Sequence, residues 1–191
     1  MTTIAGGGNG IGAATVGYLV KVGAHVVFGD YDESAGNKVV KTFSGGHTEP
    51  TFVQMDASKY EDNVKLFKTA LEKHQRVDHA IACAGIIERG RWFDPDLTIE
   101  SVAQPETNQT IDINFLGVAY FTRIALPYLR HGRKQGEDKS VVLISSAAGF
   151  RDSPGLFMYQ CSKHAVMGLL RTTRKVIYER DQVSSSTQLS E

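Results

Sequence analysis

Tyr159 and Lys163 stand four residues apart in Tyr159-Gln160-Cys161-Ser162-Lys163, and Ser146 precedes Tyr159 by thirteen. Residues 157 to 178 carry apolar side chains at helical spacing, which puts the phenol and the ammonium on one helix face. A cation close to a phenol, whose unperturbed pKa is about 10, favours the phenolate. Such a pair can exchange a proton with a bound molecule near neutral pH. Ser146 follows the apolar run Val141-Val142-Leu143-Ile144, which reads as a buried parallel strand. Its hydroxyl is then expected at the strand's carboxyl end, where open α/β sheets bind ligands. Alone, a Tyr and a Lys at this spacing describe a common surface pair, so the elements around them carry the decision.

At the other end of the chain, Thr2 to Ala5 reads as a short strand followed by Gly6-Gly7-Gly8-Asn9-Gly10-Ile11-Gly12 and a helix to about Val22. Glycines here allow a sharp turn, close approach to a pyrophosphate and tight packing of helix on strand, and the helix N-terminus offers its N–H groups to phosphates. A second strand, His25 to Gly29, ends at Asp30. An acidic residue at about this distance from the loop accepts from an adenosine ribose hydroxyl. The other reading makes Asp30 a cap for the helix at 33 to 44, although Asp32 is the better cap. Thr51 to Met55 reads as a third strand ending at Asp56, followed by a helix at 58 to 74, and Val77 to Ala82 as a fourth strand ending at Cys83-Ala84-Gly85-Ile86. Residues 87 to 106 read as a surface connection with at most a short helix; Trp92 and Phe93 in it either touch a substrate or pin the loop to the core. A long helix is expected from Gln109 to about Arg130, with Ile111, Phe115, Val118, Ala119, Thr122 and Leu126 facing inward and Pro127 kinking its end. Asn114 lies within it against propensity.

These motifs resemble the short-chain dehydrogenase/reductase family. The resemblance implies an α/β, Rossmann-type doubly wound parallel sheet in a single domain, with Ser146, Tyr159, Lys163 and Asn114 as catalytic residues. It implies cofactor contacts from Gly6, Asn9, Gly10, Ile11, Gly12, Asp30, Asp56, Ala57, Ala84 and Gly85, with Tyr159 and Lys163 at the nicotinamide end. Asp56 and the Ala57 backbone would meet the adenine; Asp56 as the start of the next helix is the alternative. The Asn114 carbonyl would hold a water in a proton relay to Lys163; an Asn bonded to neighbouring backbone is the alternative. NAD is expected over NADP, since Asp30 repels a 2′-phosphate and neither Asn9 nor Tyr31 supplies a cation to neutralise one. The implied reaction interconverts a secondary alcohol and a ketone. Three positions depart from the family pattern: Ala5 stands where a Thr braces the glycine loop, and Ala82 and Cys83 stand where two Asn residues are usual.

Composition narrows the partners. Lys plus Arg and Asp plus Glu number 21 each among 191 residues, so no basic field attracts nucleic acid or anionic membrane. No apolar run is long enough to span a bilayer and no signal-peptide pattern opens the chain, which sets a cytoplasmic expectation. Cys83 and Cys161 have no metal-like spacing and the six histidines are scattered, so no metal site is expected. A small-molecule partner and, by resemblance, a homodimer or homotetramer through the helices at about 109 to 130 and 157 to 178 are expected.

The resemblance covers roughly residues 2 to 175. Family members continue through a sixth strand, a Pro-Gly turn at the nicotinamide, a lid and a last strand, whereas Arg180 to Glu191 is polar and Ser-rich. Residues 1–178 are therefore expected to form a family domain lacking its last strands, and 179–191 a disordered tail. On that expectation the strand at 141 to 144 is an exposed edge. The chain is then either an NAD-dependent oxidoreductase or a shortened, inactive nucleotide-binding or interaction protein of the same fold.

Overall fold

The computed structural model describes the backbone of residues 1–181 and 184–188, and the side chains of residues 1–175. Five strands, β1 (Thr2–Ala5), β2 (Val26–Asp30), β3 (Thr51–Gln54), β4 (His79–Ala82) and β5 (Ser140–Ile144), form a parallel sheet in the order 3-2-1-4-5. Pairing is in register through the centre, with Ile4 opposite Phe28 on one side and Ile81 on the other. The order reverses beside β1, which opens a crevice at the carboxyl ends of β1 and β4.

Successive strand residues point to opposite faces, and each face finds its own core. Val26 and Phe28 pack with Ile4, Val16 and Val20 under α1 (Gly10–Lys21) and α2 (Glu33–Thr42). Val27 between them joins Val53, Leu66, Phe67, Phe121, Leu129 and Val166 on the other face. There α3 (Tyr60–His74) and α5 (Val118–Arg130) meet through Phe67, whose ring lies 4.9 Å from that of Phe121 and 5.3 Å from that of Tyr128. Burying a side chain of this size contributes roughly 1.5–3 kcal/mol.

The long helix expected from Gln109 is not uniform. It comprises α4 (Gln109–Ile111), a π-helical segment (Asp112–Gly117) and α5. A π turn accommodates an extra residue and rotates the later turns about the helix axis, so the inward face differs from the expected one. Val118 and Thr122 are buried as expected, together with Thr110, Asn114, Phe121, Ala125 and Leu129, whereas Ile111, Phe115, Ala119 and Leu126 are only partly so. Pro127 lies inside α5.

Two further corrections concern the end of the chain. The helix carrying Tyr159, α6, runs Phe157–Asp181 rather than ending at 178, and Ser184–Gln188 forms a sixth strand, β6, parallel to β5. Thus β5 is not an edge, residues 179–181 belong to α6 and residues 184–188 to β6; the remainder of the expected tail, 182, 183 and 189–191, lies outside the described residues. An edge strand recruits a neighbour through backbone N–H and C=O groups, for which a serine-rich segment serves without any apolar pattern.

At the opposite end of the sheet, Asp78 is held by the Met1 ammonium at 2.9 Å, Arg76 at 2.7 Å and Lys139 at 2.5 Å. Burial alone would raise its pKa, but these bonds hold the carboxyl well below the usual range.

Candidate functional site

A cavity of about 1130 Å³ opens at the carboxyl ends of the strands. Its floor begins at the glycine loop. Gly6 has φ +84°, and a Cβ there would come within 2.4 Å of the Ala84 nitrogen, so β1 and β4 end too close together for any side chain. A Cβ on Gly12 would lie 1.8 Å from the Gly6 carbonyl oxygen, which lets α1 start directly against the turn. A Cβ on Gly10, by contrast, would have nothing within 4 Å. The loop thus packs backbone on backbone beneath Gly6 and Gly12 and is open at Gly10, where α1 starts. Asn9 caps this helix, its Oδ1 accepting from Gly10 N–H at 2.8 Å. Ala5 does not leave the loop untethered, because Gly6 and Gly7 N–H both donate to the Gly29 carbonyl at 2.8 and 3.0 Å.

Asp30 stands on the cavity wall at the end of β2. Its Oδ2 accepts from Gly8 N–H at 2.8 Å and its Oδ1 from Asp32 N–H at 3.0 Å, while Asp32 caps α2 by accepting from Ala35 N–H. The carboxylate is therefore aimed by backbone, with lone pairs left on both oxygens. Asp56 and Ala57 line the same cavity. Asp56 does not cap α3: the N-cap position is Lys59, and Asp56 Oδ1 instead accepts from the amide and hydroxyl of Ser58 at 2.9 and 2.7 Å. The Ala57 carbonyl is held by the fully buried Asn63, Nδ2 to O 2.9 Å, a support that sequence reasoning missed.

The same cavity is lined by Ala84, which abuts Gly6, and by Gly85, Tyr159 and Lys163. Lys163 is only 5% exposed, and its Nζ lies 5.6 Å from the centre of the Tyr159 ring and donates to the Ile144 carbonyl at 3.2 Å. Burial lowers the pKa of this ammonium, with Cys83 acting in the opposite sense. Cys83 also faces the cavity, and burial raises its thiol pKa.

Asn114 and Ser146 do not wall the cavity. Asn114 sits behind Gly85, where a Cβ would be 3.4 Å from Asn114 Oδ1 and 3.5 Å from Lys163 Nζ. Its amide clasps both backbone groups of one residue in the loop after β4: Ile86 N–H donates to Oδ1 and Nδ2 donates to the Ile86 carbonyl, both at 2.8 Å. The side chain therefore bonds a distant backbone segment, not its own helix. Ser146 follows β5 as expected but is buried, its Oγ accepting from Ala148 N–H at 3.2 Å. Phe93 packs edge-on against Phe157 at 5.0 Å, which pins the 87–106 connection to the start of α6. Glu88, unremarked in the sequence, accepts from two amides of α6. Its only signal there was its place shortly after Gly85.

Among the described residues, no three or more His, Cys, Asp or Glu side chains gather to hold a metal ion, and no helix is long and apolar enough to cross a membrane.

A parallel sheet in this order, with a glycine turn feeding a helix at β1 and a cavity along the strand ends, defines a Rossmann-type α/β protein. A model of the short chain dehydrogenase family matches residues 1–184. The chain is 31% identical over 171 residues to a short-chain dehydrogenase/reductase of Acremonium egyptiacum, covering 90% of this chain and 55% of that one. It is 32% identical over 171 residues to an uncharacterized oxidoreductase of Listeria monocytogenes, covering 90% and 64%. A crystal structure of a short-chain dehydrogenase/reductase from Burkholderia phymatum in complex with NAD superposes with a TM-score of 0.82 at 26% identity, covering 98% of this chain and 64% of that one. The chain belongs to the short-chain dehydrogenase family, and spans between about half and two thirds of the length of these relatives.

Proposed function

We propose that the chain carries the site of an NAD-dependent oxidoreductase interconverting a secondary alcohol and a ketone. The observation that carries this reading is one cavity lined together by the glycine loop, the aimed carboxylate of Asp30, and Tyr159 with Lys163. The residues fit a dinucleotide. Amides at the start of α1 would take the pyrophosphate, Asp30 the adenosine ribose, and Asp56 and Ala57 the adenine edge. Asp30 would also repel a 2′-phosphate, which favours NAD over NADP. The bound nicotinamide would supply or accept a hydride.

Tyr159 exchanges the proton at its phenol oxygen with the substrate oxygen. Lys163, buried beside the ring, stabilises the negative charge that the phenol oxygen carries while the proton is away. Asn114 holds the Ile86 backbone, and its carbonyl would link Lys163 to solvent through a water. Ser146 would donate its hydroxyl to the substrate oxygen as charge develops there.

Tyr159→Phe is expected to lower turnover of a ketone panel by at least about a hundredfold, the scale of one general acid/base group, while NADH affinity stays within about twofold, since the adenosine end is untouched. Equal loss of both would remove Tyr159 from the chemistry. The position of Ser146 outside the cavity wall favours a second reading, nucleotide binding without turnover; NADH binding with no reaction on any ketone would decide for it. Cytoplasmic location and homo-oligomerisation are part of the proposal, tested by fractionation and by sedimentation of the purified chain.

A further inference from the structure

Tyr159 stands in the first turn of α6, where backbone N–H groups have no partner within the helix. Glu88, 70 residues before Met158, supplies those partners: Met158 N–H donates to Oε1 at 3.1 Å and Tyr159 N–H to Oε2 at 2.6 Å. A carboxylate is well suited to this place, because its bonds are charge-assisted and it faces the positive end of the helix dipole. Glu88 is half-buried and belongs to the loop after β4, two residues beyond Ile86. The Ile86 backbone is clasped by Asn114 at both its N–H and its C=O. Asn114 Nδ2 also reaches Ser162 Oγ at 3.2 Å, and the Ser162 hydroxyl donates to the Tyr159 carbonyl at 2.6 Å. The Tyr159 backbone is therefore held at both ends, its N–H by Glu88 and its C=O by Ser162. Both holds run back to one buried side chain in the π-helical segment.

We infer that Glu88 is the positioning residue for Tyr159, fixing where the first turn of α6 stands and hence where the phenol enters the cavity. Its effect on turnover rests on the proton-exchange reading of Tyr159; its grip on the two amides does not. Carboxylate length matters, because both oxygens are used at once on adjacent amides. An amide side chain offers one acceptor oxygen and leaves one N–H without a partner.

The test uses the full chain labelled with ¹⁵N and with ¹³C in the tyrosine rings, comparing the wild type, Glu88→Ala and Glu88→Gln. In Glu88→Ala, amide exchange at Met158 and Tyr159 is expected to rise at least tenfold and the Tyr159 ring resonances to move. Exchange at Val166 and Leu170, and the rings of Tyr18 and Tyr60, are expected to stay as they are. Glu88→Gln is expected to restore part of both effects, with one of the two amides still fast. NADH half-saturation should change less than twofold, and kcat should fall tenfold or more with KM little altered. Unmoved Tyr159 resonances or unchanged exchange in Glu88→Ala would overturn the inference, as would a loss expressed in KM. If Glu88→Ala does not fold, Glu88→Gln decides: both amides as slow as in the wild type would refute the grip. A wild-type chain without turnover would count against the proposed activity alone, since exchange and ring shifts still report on Glu88.

Discussion

Replacing Asp30 with Ala separates two roles that the carboxylate combines. In the fold it accepts from Gly8 N–H and Asp32 N–H, at 2.8 and 3.0 Å. Hydrogen bonds to a charged group contribute about 1.5–3 kcal/mol each when well shielded. Asp30 is only partly buried, so the two together are expected to stabilise the fold by about 1–2 kcal/mol, or roughly 2–8 °C in Tm for a chain of this length. In the proposed cofactor site the remaining lone pairs meet ribose hydroxyls. Losing a charge-assisted bond there costs about 1.5–3 kcal/mol, which is roughly 10- to 150-fold in the NADH Kd. For NADPH the sign reverses, because removing the carboxylate removes its repulsion of the 2′-phosphate. Titrations of nicotinamide fluorescence with NADH and NADPH, beside a thermal melt, resolve the two roles. A loosened loop weakens both nucleotides alike, whereas a lost ribose contact lowers the NADH-over-NADPH preference by about tenfold or more. Asp30→Asn, which keeps one acceptor oxygen, is expected to recover stability more than preference. An unchanged preference in Asp30→Ala would refute the assignment of Asp30 to the ribose, whatever happened to the melt.

Gly12 and the two histidines beside the amino terminus carry further expectations. In Gly12→Ala the new Cβ would lie 1.8 Å from the Gly6 carbonyl oxygen, about half a normal separation, so α1 must move off the turn. A destabilisation of roughly 1–3 kcal/mol and at least about tenfold weaker NADH binding are expected by melt and titration; unaltered NADH affinity would place the phosphates elsewhere. Stability should fall on mild acidification. His74 is lowered in pKa first by burial and then by His25 and the Met1 ammonium, and His79 first by burial and then by the same ammonium. With folded pKa values below the unfolded value of about 6.5, their neutral forms favour folding fully above that pH. The contribution is lost as pH falls below it, because protonation then favours the unfolded chain. Urea unfolding from pH 7.5 to 5 should show the decline, and His74→Gln should flatten it; an undiminished slope would exclude His74 as a source.

Where the sequence was legible, the relevant interactions were local. A turn that packs backbone on backbone admits only glycine at Gly6 and Gly12, so that constraint is written in residue type. The i, i+4 spacing of Tyr159 and Lys163 places them on one helix face, and the structure puts both on the wall of one cavity that Asp30 also lines. After Asn114, Val118 and Thr122 are buried as the spacing implies, while Phe115, Ala119 and Leu126 are only partly so, because a π turn leaves no mark in hydrophobic spacing. The alternative that Asp56 starts the next helix does not hold, because its bonds turn the chain at Ser58 before α3 begins.

The sequence by itself determined the order of the first five strands and the helices between them, the glycine turn, and the spacing of Tyr159 and Lys163 on one helix face. Those are set by backbone sterics and periodicities that act within a few residues. Tertiary structure alone decided that Ser146 is drawn in against the Ala148 amide, that Ser184–Gln188 pairs with β5, and that Asn114 holds Ile86. It also decided that Glu88 seizes the first turn of the Tyr159 helix. Each of these is a bond between a polar side chain or bare backbone and a peptide group, and every residue carries a peptide group. Such a bond has no complementary residue type to betray it, and only the folded path of the chain brings its two ends together.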